Sequence, residues 1–297
     1  MPSDILRKTV SVSIKPAPAL KQGVHPENLR ILPDREVRVA LLPESSIFCS
    51  LWPELKEAGV STFGAGASLT CDYGGSDFLW YRNNENGVLE FPEVWYDIKD
   101  CDSIWGVQQG DHEGRRSFAL EVLDGKGGLA HRVSLKAGSD PSSYLEFVRI
   151  NQASLDVSTK ALSWWGFQAL IRSRHDKWKS RTDLARRVER NRVIEFLASL
   201  ANLHKQVRLT VWNGVIKHSR NVEFQSWQMR GHLLEMYGRR EKFTLDSDRL
   251  TEAWVVQCRC FCGEEILEMY DYHGQLMASI VFSALSQSTM NLLPALN

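Results

Sequence analysis

The sequence predicts an α+β protein, internally duplicated, with two mostly antiparallel β-sheet lobes and helices between them. Three observations predict this. A length of 297 residues accommodates about two domains of roughly 150 residues, each large enough to bury a core. The text of one half returns in the other, and the stretch between the copies takes helical rather than strand spacing.

Residues 1–36 carry Pro16, Pro18, Pro26 and Pro33 among polar residues, so an extended N-terminal arm is expected there. The first α+β repeat is placed at 37–138. Its signature, SIWGVQQGDHEGRRSFALEVLDGKGGLAHRVSL from Ser103, reads as strand, turn, strand, tight turn, strand. The second repeat, 193–297, answers with EAWVVQCRCFCGEEILEMYDYHGQLMASIVF from Glu252. Trp105 aligns with Trp254, Gly114 with Gly263, and the turn Asp124–Gly127 with Asp271–Gly274. Upstream, the stretch from Leu51 parallels the stretch from Val193, each a short amphipathic helix followed by a strand. Between the repeats, 139–192 forms a helical linker. Asp140 and Pro141 open one helix, and Asp183 is the expected N-cap of a second, with Leu184, Val188, Phe196, Leu200 and Leu203 near one face.

Composition narrows the function classes. The 36 basic residues balance the 36 acidic ones, so overall charge singles out neither nucleic acid nor a membrane surface. No run approaches the roughly 18 apolar residues that a membrane span needs, and the N-terminus lacks the apolar core of a secretory signal, so a cytoplasmic location and no membrane insertion are expected. Ten tryptophans and twelve phenylalanines suit β-rich cores or a pocket for a flat apolar ligand. The sequence holds no Walker loop, G-x-S-x-G elbow or H-E-x-x-H helix, so ordinary nucleotide-enzyme and hydrolase readings have no anchor. Cys258, Cys260 and Cys262 alternate at strand period, about 7 Å per step, too far apart to share one tetrahedral ion, and read as small hydrophobes on a sheet face. Nine basic residues against three acidic ones lie between Arg172 and Arg192. A solvated helix face explains them better than a nucleic-acid surface, so nucleic acid is not an expected partner.

The duplicated set in this order resembles the bacterial hemin-degrading factor family of the HemS/HmuS type. The resemblance rests on Phe118 to Val133, similar to the family's S-L-E-F-F-D strand, D-x-x-G turn and following strand, on Leu250 to Val256, similar to I-A-E-V-W-V-V, and on Ile266 to Gly274, similar to L-E-L-F-D-A-H-G. It spans about residues 40 to 285. It implies a pair of nine-stranded antiparallel sheets and one haem in a cleft on the linker side, carried for intracellular haem transfer or degraded oxidatively in iron acquisition. A haem-delivering or haem-accepting protein is the implied partner. The alternative is a non-enzymatic binding or scaffold protein that keeps the duplicated fold and has lost haem.

Haem needs an axial ligand, a dry apolar slot and cations for two propionates. By resemblance to the family's W-x-x-L-x-x-V-H run, Trp165 to His175 makes His175 the implied iron ligand. Around it Trp164, Trp165, Phe167 and Trp178 offer flat surface, and Arg172, Arg174, Lys177, Lys179 and Arg181 offer charge. The family also places an arginine on the strand before the I-W-G-V-like strand. Trp95 stands there in this chain, with Tyr96 and Lys99 nearby, and neither reproduces a planar guanidinium fork. Of the other histidines, His131 reads as a sheet residue, His273 as a turn residue, His25 and His112 as surface residues, and His204, His218 and His232 as candidates for a distal group.

Overall fold

The computed structural model describes residues 36–41, 55–74, 82–83, 88–90, 94–97, 103–110, 115–124, 128–152, 171, 174–181, 183–257 and 265–281. The arm, Gly114, Gly263 and Cys258, Cys260 and Cys262 lie outside them.

Two nine-stranded sheets form among the described residues, and their strands pair antiparallel. In spatial order the first is β1 (Val37–Leu41), β7 (Ser103–Gly110), β8 (Arg116–Leu123), β9 (Leu129–Leu135), β2 (Glu57–Phe63), β3 (Ala67–Gly74), β15 (Glu241–Asp246), β14 (Leu233–Tyr237) and β13 (Ser226–Arg230). The second is β10 (Ala185–Val188), β16 (Leu250–Gln257), β17 (Glu265–Asp271), β18 (Leu276–Val281), β11 (Gln206–Trp212), β12 (Ile216–Glu223), β6 (Val94–Asp97), β5 (Val88–Glu90) and β4 (Arg82–Asn83). The α+β class and the duplication are therefore as expected, because the two orders match strand for strand. The sheets nevertheless do not follow the chain halves. The hairpins β4–β6 of the first half complete the second sheet through β6 against β12, and β13–β15 of the second half complete the first through β15 against β3.

This exchange ties the halves into one core. Apolar positions on alternate residues of β2, β3, β11 and β12 (Val60, Leu69, Cys71, Leu209, Val211, Ile216, Val222) are buried in a single cluster. The seam also contains polar groups. Thr62 Oγ1 stands 2.9 Å from His131 Nδ1 and 3.3 Å from His218 Nδ1, and the Tyr73 hydroxyl meets His218 Nε2 at 3.0 Å. Both imidazoles are completely buried, and desolvation holds each in its neutral form.

Three described helices flank the sheets. Helix α1 (Pro141–Ile150) starts as expected: the Asp140 carboxylate accepts from Ser142 N at 2.9 Å and Pro141 supplies the first turn. It lays Tyr144 and Phe147 in the main core with Ile104, Leu120 and Val122, and the Tyr144 hydroxyl donates to the Ala119 carbonyl at 2.8 Å. A glycine is needed beneath it, since a Cβ on Gly106 would sit 2.8 Å from Val148 Cγ2. Residues 174–180 form α2 on the outer face of the second sheet. Helix α3 (Arg190–Asn202) buries Val193, Phe196, Leu197 and Leu200 in the main core.

The helix expected from Asp183 begins instead at Arg190, with Glu189 at its N-cap position. Ala185–Val188 pairs with β16 as an edge strand, Ala185 opposite Val256 and Val188 opposite Ala253. A free sheet edge outcompetes local helical spacing here, because each paired residue gains ladder hydrogen bonds while Ala185 and Val188 still become buried. Leu203, expected on the apolar face, is 51% exposed just past the helix end.

Candidate functional site

A cavity lies on the outer face of the second sheet. Strand alternation creates it. In β16 an irregularity between Leu250 and Glu252 shifts the phase, so Leu250, Ala253 and Val255 join the main core while Trp254 and Val256 join a smaller cluster on the outer face. In β17, Leu267 and Met269 likewise point inward, and Ile266, Glu268 and Tyr270 point out.

Helix α2 closes one side of this face. His175 and Trp178 are three residues apart and so share a helix face. Their receptors are two neighbouring cross-strand rungs, Glu252 opposite Tyr270 and Trp254 opposite Glu268. His175 Nε2 meets Glu252 Oε2 at 2.7 Å, and its ring lies on Tyr270 with centroids 4.6 Å apart. Trp178 Nε1 donates to Glu268 Oε2 at 2.7 Å, and the Tyr270 hydroxyl donates to the same oxygen at 2.5 Å. Arg174 pairs with Glu268 Oε1 and stacks over the Trp178 ring at 5.7 Å. Glu268 is only 1% exposed, and three donors surround it, so its oxygens are not left without hydrogen bonds in the interior. Burial and the Glu268 charge drive the Tyr270 phenol well above its ordinary range, so it acts as a donor.

Beyond this polar seal a cavity of about 580 Å³ opens over β11, β12, β17 and β18. Its walls combine Trp212, Ile266, Leu276 and Val281 with Thr210, Ser219, Asn221 and Ser279. Three cations, Arg174, Arg208 and Lys217, face a single carboxylate, Glu268, which is already engaged. Arg208 Nε donates to Ser219 Oγ at 3.1 Å, which fixes its guanidinium along the wall. Burial, then the nearby Arg208 and Arg174 charges, push the Lys217 ammonium below its usual range, so an anion arriving here would relieve repulsion. The Nε of Arg174 is buried with no hydrogen-bond partner among the described residues.

Glu121, the counterpart of Glu268 in the repeat, pairs with Arg38 at 3.1 Å and Arg132 at 3.4 Å. In the second sheet the equivalent carboxylate is held instead by Arg174, Trp178 and Tyr270.

Of the sequence candidates, His175, Arg174 and Trp178 come together on α2 over Glu252 and Glu268, and of the three Arg174 lines the cavity. Lys177 is exposed, with its ammonium 5.4 Å over the Trp178 ring. Lys179 lies 3.5 Å from Glu252, and Arg181 pairs with Asp183. Trp95 occupies the register position opposite Lys217. Arg172, Lys99, Trp164, Trp165, Phe167, His25 and His112 lie outside the described residues. His218 corrects its expectation as a distal group: it sits inside β12 on the inner face and is fully buried in the seam, away from the cavity. His204 and His232 occupy turns, His204 with φ +48°. Sequence reasoning missed Glu252, Glu268, Arg208 and Lys217. Their signal was the alternation of QVRLTVW and the lone carboxylate in the apolar I-L-E-M-Y run, repeated as A-L-E-V-L.

No protein-family model matches the sequence, and no curated protein matches it. Solved structures do match. The chain is similar to holo-PhuS, a heme-binding protein from Pseudomonas aeruginosa, at 13% identity and a TM-score of 0.73, over 87% of each chain. The apo form of PhuS gives 0.70 at 13% identity over the same shares. ChuS, an E. coli heme oxygenase, gives 0.68 at 13% identity, over 86% of this chain and 89% of that one. The chain shares the fold of these proteins.

Proposed function

We propose that this chain binds haem in the cavity of the second sheet, as a cytoplasmic carrier or degrader of haem in iron acquisition. The observation that carries the reading is the cation-lined cavity itself. It has three cations against one engaged carboxylate, a buried Arg174 N–H with no partner among the described residues, and a position on a fold that PhuS and ChuS share. The cations and apolar residues of the lining suit the group's two carboxylates and its flat ring. A volume of about 580 Å³ lies within the range of small-molecule sites. Arg208, Lys217 and Arg174 match two propionates. Trp212, Ile266, Leu276 and Val281 supply the apolar wall, and His175, the iron ligand implied by the resemblance, stands on α2 outside the lining. When bound, haem brings an iron centre able to react with dioxygen; the protein sets axial ligation, charge neutralisation and access of water.

One observation favours the rival reading, a fold-retaining protein that no longer holds haem and takes another small anion. His175 is buried against Glu252, and the described cavity walls carry no histidine, cysteine, methionine or tyrosine. Hemin titration followed at the Soret band separates the two. A haem protein saturates near one equivalent, the ligand signature is lost in His175→Ala, and affinity falls about tenfold or more in Lys217→Ala with Arg208→Ala, each desolvated charge pair being worth about 1.5–3 kcal/mol. Absence of saturable binding in the wild type overturns the haem reading.

A further inference from the structure

The cations of the cavity converge on a floor of short polar side chains. Ser219 stands opposite Thr210, Thr210 opposite Ser279, and Ser279 opposite Glu268, so the four form one row on the outer face across β12, β11, β18 and β17. Longer side chains flank the row, Ile266 and Arg208 on one side and Trp212 and Lys217 on the other, and the floor sinks between them. Arg208 belongs to the neighbouring rung, yet its Nε donates to Ser219 Oγ at 3.1 Å, which brings the guanidinium over the row. Lys217 enters from the rung on the opposite side, and the Arg208 and Arg174 charges both act on its ammonium, so the three cations surround one space. Hydroxyl donors lie beneath them. A guanidinium only donates, so Ser219 Oγ accepts from Arg208, and the 2.8 Å contact between Ser219 and Thr210 uses one of their two hydroxyl protons.

We propose that this cavity binds the phosphoryl group of a small phosphorylated molecule, seated on the row of Ser219, Thr210 and Ser279 between Arg208, Lys217 and Arg174. A phosphate monoester carries close to two negative charges at pH 7 and terminal oxygens that only accept, so a single group meets the cations and the hydroxyls together. A carboxylate brings one charge and two oxygens in a plane, which engage fewer of these donors. The guanidinium of Arg208, held along the wall by Ser219, presents the fork that suits phosphate oxygens. Trp212 shares the rung of Lys217 and gives the rest of the ligand a flat apolar wall, so the phosphoryl group is carried on an aromatic or heteroaromatic body. This second ligand class goes beyond the haem reading and does not depend on it, since it uses only side chains of the described lining.

Calorimetric titration of the full chain with phenyl phosphate, inorganic phosphate, benzoate and isophthalate tests this. Phenyl phosphate saturates at one equivalent and binds about tenfold or more tighter than benzoate and isophthalate, with inorganic phosphate weaker for want of the ring. Lys217→Met and Arg208→Gln each weaken phenyl phosphate about tenfold or more, Ser279→Ala weakens it about fivefold, and Lys217→Arg recovers most of the loss. Arg192→Ala, which removes an exposed cation on α3, leaves the affinity unchanged. The ligand-free Tm of each variant reports its folding, and the rise in Tm on adding phenyl phosphate shrinks in step with affinity. No saturable binding of phenyl phosphate at millimolar concentrations overturns the proposal, as does an equal loss in Arg192→Ala, which marks diffuse attraction. Isophthalate binding as tightly shows that charge alone is read, and inorganic phosphate binding as tightly assigns the seat to the free ion; either result overturns the phosphorylated ligand. The haem reading fails separately. A wild type that saturates with hemin and not with phenyl phosphate sinks this proposal alone, and one that takes phenyl phosphate and not hemin sinks the haem reading alone.

Discussion

Replacing His218 by glutamine flattens the acid sensitivity of folding, and the size of the effect follows from the seam between the sheets. His218 is fully buried between Thr62 and Tyr73, with His131 across Thr62 and the Arg220 guanidinium over the Tyr73 ring, itself paired with Glu241. Desolvation, then the Arg220 charge, lowers its pKa from the ordinary 6.5 to about 3. A neutral histidine in the fold and a titrating one in the unfolded chain mean that the unfolded state binds the extra proton between these two values. The fold therefore keeps full stability above pH 6.5 and loses it as pH falls toward 3, at about 1.4 kcal/mol per unit. At pH 5 the loss from His218 alone is about 2 kcal/mol, and His131, lowered by burial and by His218, adds in the same direction. Urea unfolding at pH 7.5 and pH 5.0 measures this. The single core shared by both halves makes one transition the expectation, with a lower midpoint at pH 5.0 and an unchanged slope. The pH-dependent loss shrinks by about 2 kcal/mol in His218→Gln. Equal stability of the wild type at both pH values, or an equal loss in the variant, refutes the buried-neutral account.

Two further outcomes follow from the two sheets. Tyr144→Phe removes the hydroxyl that donates to the Ala119 carbonyl at 2.8 Å, costs about 1 kcal/mol and lowers Tm by about 2–4 °C in calorimetry; an unchanged Tm shows that this contact is neutral. Trp95→Arg adds a guanidinium at the register position opposite Lys217 and tightens hemin binding several-fold in the Soret titration; no change counts against placing this strand at the ligand's edge.

The duplication and the strand-turn-strand grammar were legible because side-chain alternation and turn chemistry are local. Asp124 accepting from Gly128 N and Asp271 accepting from His273 N and Gln275 N are the same turn device written twice. Helix α1 was legible for the same reason, since Asp140 and Pro141 act within one turn. Residue type alone also drew attention to the neighbourhood of His175, Arg174 and Trp178.

Pairing partners were beyond the sequence. Nothing within A-R-R-V announces an edge strand, because the decisive term is the open edge of β16, some seventy residues away in the chain. The exchange of β4–β6 and β13–β15 is equally nonlocal, since equivalent hairpins fit either sheet and only burial of the shared core selects between them. The same holds for the site. Sequence supplied a histidine with two free nitrogens. The fold set Glu252, Gly274 and Tyr270 around it and opened a charged cavity beside it, because which carboxylate meets which imidazole depends on cross-strand register and on the helix laid over it.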